Sequence, residues 1–74
     1  MGKMSSMPDL LSSNEIIRVL EKHGFLFVSQ RGSHKKFKKG NRVVIVPDPK
    51  KEIPKGTFVS IVKQSGLNKN DFTS

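Results

Sequence analysis

Apolar residues at Ile16, Ile17, Val19 and Leu20 recur at helical spacing directly after the polar run Ser12-Ser13-Asn14-Glu15. That run is a capping box, a serine hydroxyl at the N-cap with a glutamate three residues on to reach back, and Leu11 and Ile16 take the staple positions around it. Gly24 stops this helix as a left-handed cap, with His23 in its last turn, where a cationic imidazole suits the helix dipole. The pattern then changes. Phe25 to Gln30 is aromatic and β-branched and predicts a strand. Arg31-Gly32-Ser33 is a turn, His34 to Lys38 a second strand, and Gly40-Asn41 a hairpin turn leading into a third strand from Arg42 to Val46. Pro47 ends that strand, and Asp48 to Ile53 forms a basic connection. Pro54 suits a first helical turn, and Phe58, Ile61 and Val62 give a second apolar helical face that stops at Gly66. Asn68 with Asp71 caps one further short turn.

The order is therefore α-β-β-β-α, an α+β domain with a three-stranded antiparallel sheet and its helices on one face. Strand parity assigns the two faces. A two- or four-residue loop around Gly40-Asn41 sets Phe37 across from Val44 and Lys38 across from Val43. Taking Arg31-Gly32-Ser33 as a three-residue loop sets Phe27 across from Phe37. Phe25, Phe27, Phe37, Val44 and Val46 then share the face that both helices cover. The open face carries His34, Lys36 and Lys38, with Leu26, Val28, Val43 and Ile45 beside them. A face that mixes an imidazole, cations and four aliphatic side chains is not finished by this chain alone.

At 74 residues the chain holds one domain with one small core. With no cysteine, disulfides and thiolate metal sites are excluded. His23 and His34 are too far apart in sequence for a local metal motif, and no metal or other cofactor is expected. No apolar run approaches the roughly 20 residues of a membrane span, so the expectation is a soluble cytoplasmic protein. Met1-Gly2-Lys3-Met4-Ser5-Ser6 fits the myristoylation pattern, which is short enough to recur by chance.

Charge changes the picture most. Between Arg31 and Lys55 stand nine cations against Asp48 and Glu52, which leaves +7 of the chain's net +8 in one third of its length. Clustered cations of this kind attract polyanions, of which phosphodiester chains are the commonest. A membrane surface would attract them too, but no basic amphipathic helix is visible. Inside the cluster, Gln30-Arg31-Gly32-Ser33-His34-Lys35-Lys36-Phe37-Lys38-Lys39 sets one imidazole on a tight turn among cations. Imidazole is the side chain best suited to moving a proton near neutral pH. The candidate RNA-binding residues are Arg31, Gly32, Ser33, Lys35, Lys36 and Lys38, joined by Lys50, Lys51 and Lys55 ahead of the second helix. From the residues alone, His34 is equally a proton-moving group or a surface phosphate contact.

The string Gly24-Phe25-Leu26-Phe27-Val28-Ser29-Gln30-Arg31-Gly32-Ser33-His34-Lys35-Lys36-Phe37 resembles the HicA family, the small toxins of HicA–HicB toxin–antitoxin pairs. Val46-Pro47-Asp48-Pro49-Lys50-Lys51-Glu52-Ile53-Pro54-Lys55-Gly56-Thr57 and Ile61-Val62-Lys63-Gln64-Ser65-Gly66-Leu67 extend the resemblance over about Ser13 to Leu67. It implies a double-stranded-RNA-binding-domain-like fold and messenger-RNA interferase activity. It further implies a catalytic role for the histidine of the glycine-serine-histidine tripeptide, here His34, and a HicB-type antitoxin as partner. Ser29 departs from the family, where many relatives carry arginine. The chain then divides into a flexible lead-in at 1–11, the HicA-like domain at 12–67, and a tail or short helical turn at 68–74.

On this reading His34 is the general base on the ribose 2′-OH of an RNA substrate. The expected products are a 2′,3′-cyclic phosphate and a 5′-OH, with no metal required. The alternative from another class is a non-catalytic RNA-binding module of the same fold, in which His34 only contacts phosphate.

Overall fold

Ser12 accepts a hydrogen bond from the Glu15 backbone N–H at 3.2 Å, and the Glu15 carboxylate takes the Ser12 N–H at 2.8 Å, so the capping box closes in both directions. In the computed structural model, which describes residues 10–73, this cap opens helix α1 (Ser13–Lys22). The lead-in and lipidation-pattern residues before Leu10 lie outside the described residues. Strands β1 (Leu26–Arg31), β2 (His34–Lys39) and β3 (Arg42–Pro47) follow, then helices α2 (Lys55–Ser65) and α3 (Lys69–Thr73). The sheet is antiparallel in the order β1-β2-β3. The α-β-β-β-α order and the α+β class read from the sequence are those of the structure.

Both hairpin turns place glycine first with a positive φ, Gly32 at 56° and Gly40 at 58°, and a second residue with a negative one. That is the two-residue turn whose twist matches the flanking strands. Arg31 therefore pairs directly with His34, which corrects the three-residue loop expected at this turn. The extra residue lies in the strand instead. The register shifts between Phe27 and Ser29, a bulge at Val28. The loop is one residue shorter than expected and the bulge one residue longer, so the two offsets cancel. Phe27 still faces Phe37, and Phe37 and Lys38 face Val44 and Val43 as parity required.

The core is Ile16, Leu20, Phe25, Phe37, Val44, Val46, Ile53, Ile61 and Phe72, with Leu11, Ile17, Val19, Phe58, Val62 and Leu67 packed around it. Phe72 enters from α3 and meets Phe58 edge to face at 5.6 Å. Its turn is closed by the Asp71 carboxylate, which accepts the Asn68 N–H at 2.9 Å. Helices α1 and α2 lie chiefly over β3, not β1. Phe27 belongs to the core face and touches Phe37 edge to face at 5.8 Å, yet it is 52% exposed. The expectation that both helices cover it fails because neither reaches out over the β1 side.

Candidate nucleic-acid interface

Antiparallel pairing fixes which side chains stand together. On the open face, Arg31, His34 and Pro47 form one row across the three strands. Ser29, Lys36 and Ile45 form the next, and Leu26, Lys38 and Val43 the third. Cross-strand neighbours in such a row lie about 5 Å apart at Cβ. Successive rows are two residues along the strand, about 6.6 Å. His34, Lys36 and Lys38 thus run up the middle of the sheet as one exposed column, with Arg31 beside the imidazole. Among the described residues no hydrogen bond from the protein engages the His34 ring.

The turn beside His34 is tied from both sides. The Gln30 side-chain amide donates to the Gly32 carbonyl at 2.9 Å, and the Asp48 N–H donates to the Ser33 carbonyl at 2.7 Å. The second bond brings the 48–51 connection to the His34 end of the sheet. The connection is anchored in turn to α1. The Ser13 N–H donates to the Lys50 carbonyl at 2.9 Å, and the Lys50 N–H donates to the Ser13 hydroxyl at 2.9 Å. Ser12, Ser13, Asn14, Asp48, Pro49, Lys50 and Lys51 line a cleft of about 550 Å³ there. Its Lys50 and Lys51 are exposed, and through Asp48 the cleft adjoins the Gly32-Ser33 turn.

Two of the sequence-derived candidates stand elsewhere. Lys35 shares the face of Phe37, not that of His34, because strand residues alternate. Its ammonium meets the Asp48 carboxylate at 2.8 Å, so its charge is already matched. Lys55 opens α2 on the helix side and borders an apolar groove with Leu10, Leu11, Ile53, Phe58 and Val59. The structure therefore gathers Arg31, His34, Lys36 and Lys38 on the open face with Gly32 and Ser33 in the turn at its end, brings Lys50 and Lys51 near that turn, and separates Lys35 and Lys55 from them.

The sequence reading assigned no role to Asp48 or Ser13. The Ser13 hydroxyl, almost fully buried, donates to the Asp48 carboxylate at 2.7 Å. The Lys35 hydrogen bond, with help from that of Ser13, holds the Asp48 carboxyl below its ordinary value of 3.8 despite partial burial. A carboxylate neutralised in this way does not oppose an anion arriving at the turn. The partners are 35 residues apart in sequence, and no local pattern announces them.

An exposed imidazole, a column of ammonium groups and a glycine turn make up the basic open face of this small α+β domain. The family model described as HicA toxin of bacterial toxin-antitoxin matches residues 13–67, from the start of α1 through the end of α2. The chain belongs to the HicA toxin family, toxins of toxin–antitoxin systems, and a cognate antitoxin is implied as its partner. No curated protein matches the sequence. Among the described residues no helix is long and apolar enough to cross a membrane, and no group of three or more metal-ligating side chains occurs.

Proposed function

We propose that this chain is the toxin of a type II pair, acting in the cytoplasm as a metal-independent endoribonuclease on messenger RNA, with His34 as general base and a HicB-type protein as its antitoxin. The observation that carries the reading is the row Arg31-His34-Pro47 on the open face, where an unengaged imidazole stands beside a guanidinium and one row from Lys36. RNA carries its own nucleophile, so the protein has to supply a base, charge and alignment.

His34 takes the proton of the ribose 2′-OH, and the 2′-oxygen forms a bond to the adjacent phosphorus. The bond from phosphorus to the 5′-oxygen breaks, and that oxygen takes a proton from water or a neighbouring ammonium. The products are a 2′,3′-cyclic phosphate and a 5′-OH. Arg31 and Lys36 flank the position where charge gathers on the phosphoryl oxygens, which supports electrostatic stabilisation there. The Gly32 and Ser33 amides of the adjoining turn are fixed donors close by. Lys38, Lys50 and Lys51 extend the positive track and position the strand on either side. Lys55 contributes to the long-range field only, and Lys35, paired with Asp48, contributes little even to that.

The test is RNA incubated in chelator with wild-type protein and with His34→Ala. A base of this kind contributes about 10²–10⁴-fold, and the variant should lose that much cleavage while still binding RNA. Equal cleavage by the two proteins removes His34 from the reaction. Intact RNA with bound wild-type protein favours the non-catalytic module instead.

A further inference from the structure

The two edges of the sheet are treated differently. On β3 the Ile45 N–H, which points away from β2, is capped by the Gln64 side-chain oxygen of α2 at 3.0 Å. On β1 nothing comparable is found. Among the described residues, the backbone bonds outside the helices and strands touch none of positions 26–31. The ladder alternates between bonded and non-bonded pairs, and Arg31 and His34 flank a two-residue turn as a bonded pair. Gln30, and Phe27 beyond the bulge, therefore turn their N–H and C=O groups outward. An edge of this kind is a template for another strand unless charge, proline or a covering element blunts it. Here Leu26 is 72%, Phe27 52% and Val28 50% exposed, with Leu26 and Phe27 on opposite faces of the strand. The only charge on β1 is Arg31 at its end.

We propose that the outer edge of β1 is a docking site for an extended, acidic segment of a partner polypeptide, which pairs with it as a fourth strand. Charge selects this occupant over a second copy of the chain. The sheet from Leu26 to Pro47 carries Arg31, Lys35, Lys36, Lys38, Lys39 and Arg42 with no aspartate or glutamate, and Asp48 just beyond it offsets Lys35 alone. Edge-to-edge self-pairing would set two such sheets side by side, whereas an acidic strand meets Lys36 and Lys38 one strand away. The bulge at Val28 shortens the regular run, so apolar contact with Leu26 and Phe27 contributes alongside the backbone bonds. The inference needs the edge and the charge only, and does not depend on the nuclease reading.

The experiment uses the full chain, isotope-labelled, with a capped eight-residue probe that alternates glutamate with valine or isoleucine. A second probe has lysine in place of glutamate. The acidic probe should shift the Phe27 and Gln30 amide signals and slow their hydrogen exchange by about tenfold or more at saturation. The lysine probe should bind at least about tenfold more weakly. Gln30→Pro removes one outward donor at a position where an edge strand tolerates proline, and should weaken the acidic probe by a similar factor. Four results overturn the proposal, and the first three need no variant. They are binding with no added protection at β1, equal binding of both probes, protection of Phe27 and Gln30 already present in the free protein (including protection that grows with protein concentration), and undiminished binding by a folded Gln30→Pro.

Discussion

Asp48→Ala tests whether the charge network beneath the site is worth what its geometry suggests. The carboxylate accepts from the buried Ser13 hydroxyl at 2.7 Å and from Lys35 at 2.8 Å. A hydrogen bond to a charged group contributes about 1.5–3 kcal/mol. Ser13 sits at the low end of that range, because its hydroxyl has a second acceptor in the Lys50 carbonyl at 3.1 Å and is not orphaned by the change. The lysine side chain is 29% exposed, so its ion pair adds only about 0.2–1 kcal/mol. The expected loss is about 2 kcal/mol, or a fall in Tm of about 8–16 °C for a domain of this size. The effect has a pH signature. The Asp48 carboxyl is held below 3.8 in the folded chain, so its contribution is complete above that pH and is lost as pH falls through the lower folded value. Urea unfolding of both proteins at pH 7 and at about pH 2.5 reads both quantities, with the difference large at neutral pH and shrinking in acid. A difference under about 0.5 kcal/mol at pH 7, or one that does not change with pH, would refute the assignment.

Two further predictions concern the cap of α2 and the lysines of the basic run. Gly66 caps α2 in the left-handed region at φ 72° and ψ 5°, and a Cβ there would meet the guanidinium end of the exposed, flexible Arg42 side chain, which need only swing aside. Gly66→Ala should therefore cost about 1–2 kcal/mol of left-handed strain, measured by thermal unfolding; a loss well above that would mean that Arg42 does not move aside. RNA binding should weaken with salt, and removing one phosphate contact lowers the log–log slope by about 0.7 on single strands. Lys36→Ala and Lys38→Ala should each do so, while Lys35→Ala leaves the slope nearly unchanged; equal slopes for all three would contradict the separation of faces.

Much of the fold was legible because the capping box, the turn glycines and the change in apolar period are local signals. The error at the Gly32 turn was invisible for the same reason: Val28 carries no mark of a bulge, and the shortened loop compensated it. Lys35 is instructive in a different way. A run of lysines reads as one patch, yet strand alternation alone places Lys35 opposite to Lys36 and beside Phe37, so its separation was already implicit in the parity that assigned the faces. Its partner Asp48 was not implicit, since Ser13, Lys35 and Asp48 meet only once α1, β2 and the connection are assembled. Phe27 failed for a global reason. Parity gives its face correctly, but burial depends on how far the helices extend over the sheet, which no pattern within β1 records.

The chemistry at His34 is tested most directly by the ends of the RNA fragments that the purified chain produces in chelator. The account predicts a 2′,3′-cyclic phosphate on one side of each cut and a 5′-OH on the other, with both lost in His34→Ala. Fragments ending in a 3′-OH and a 5′-phosphate, or the same cyclic ends produced undiminished by the variant, would contradict it.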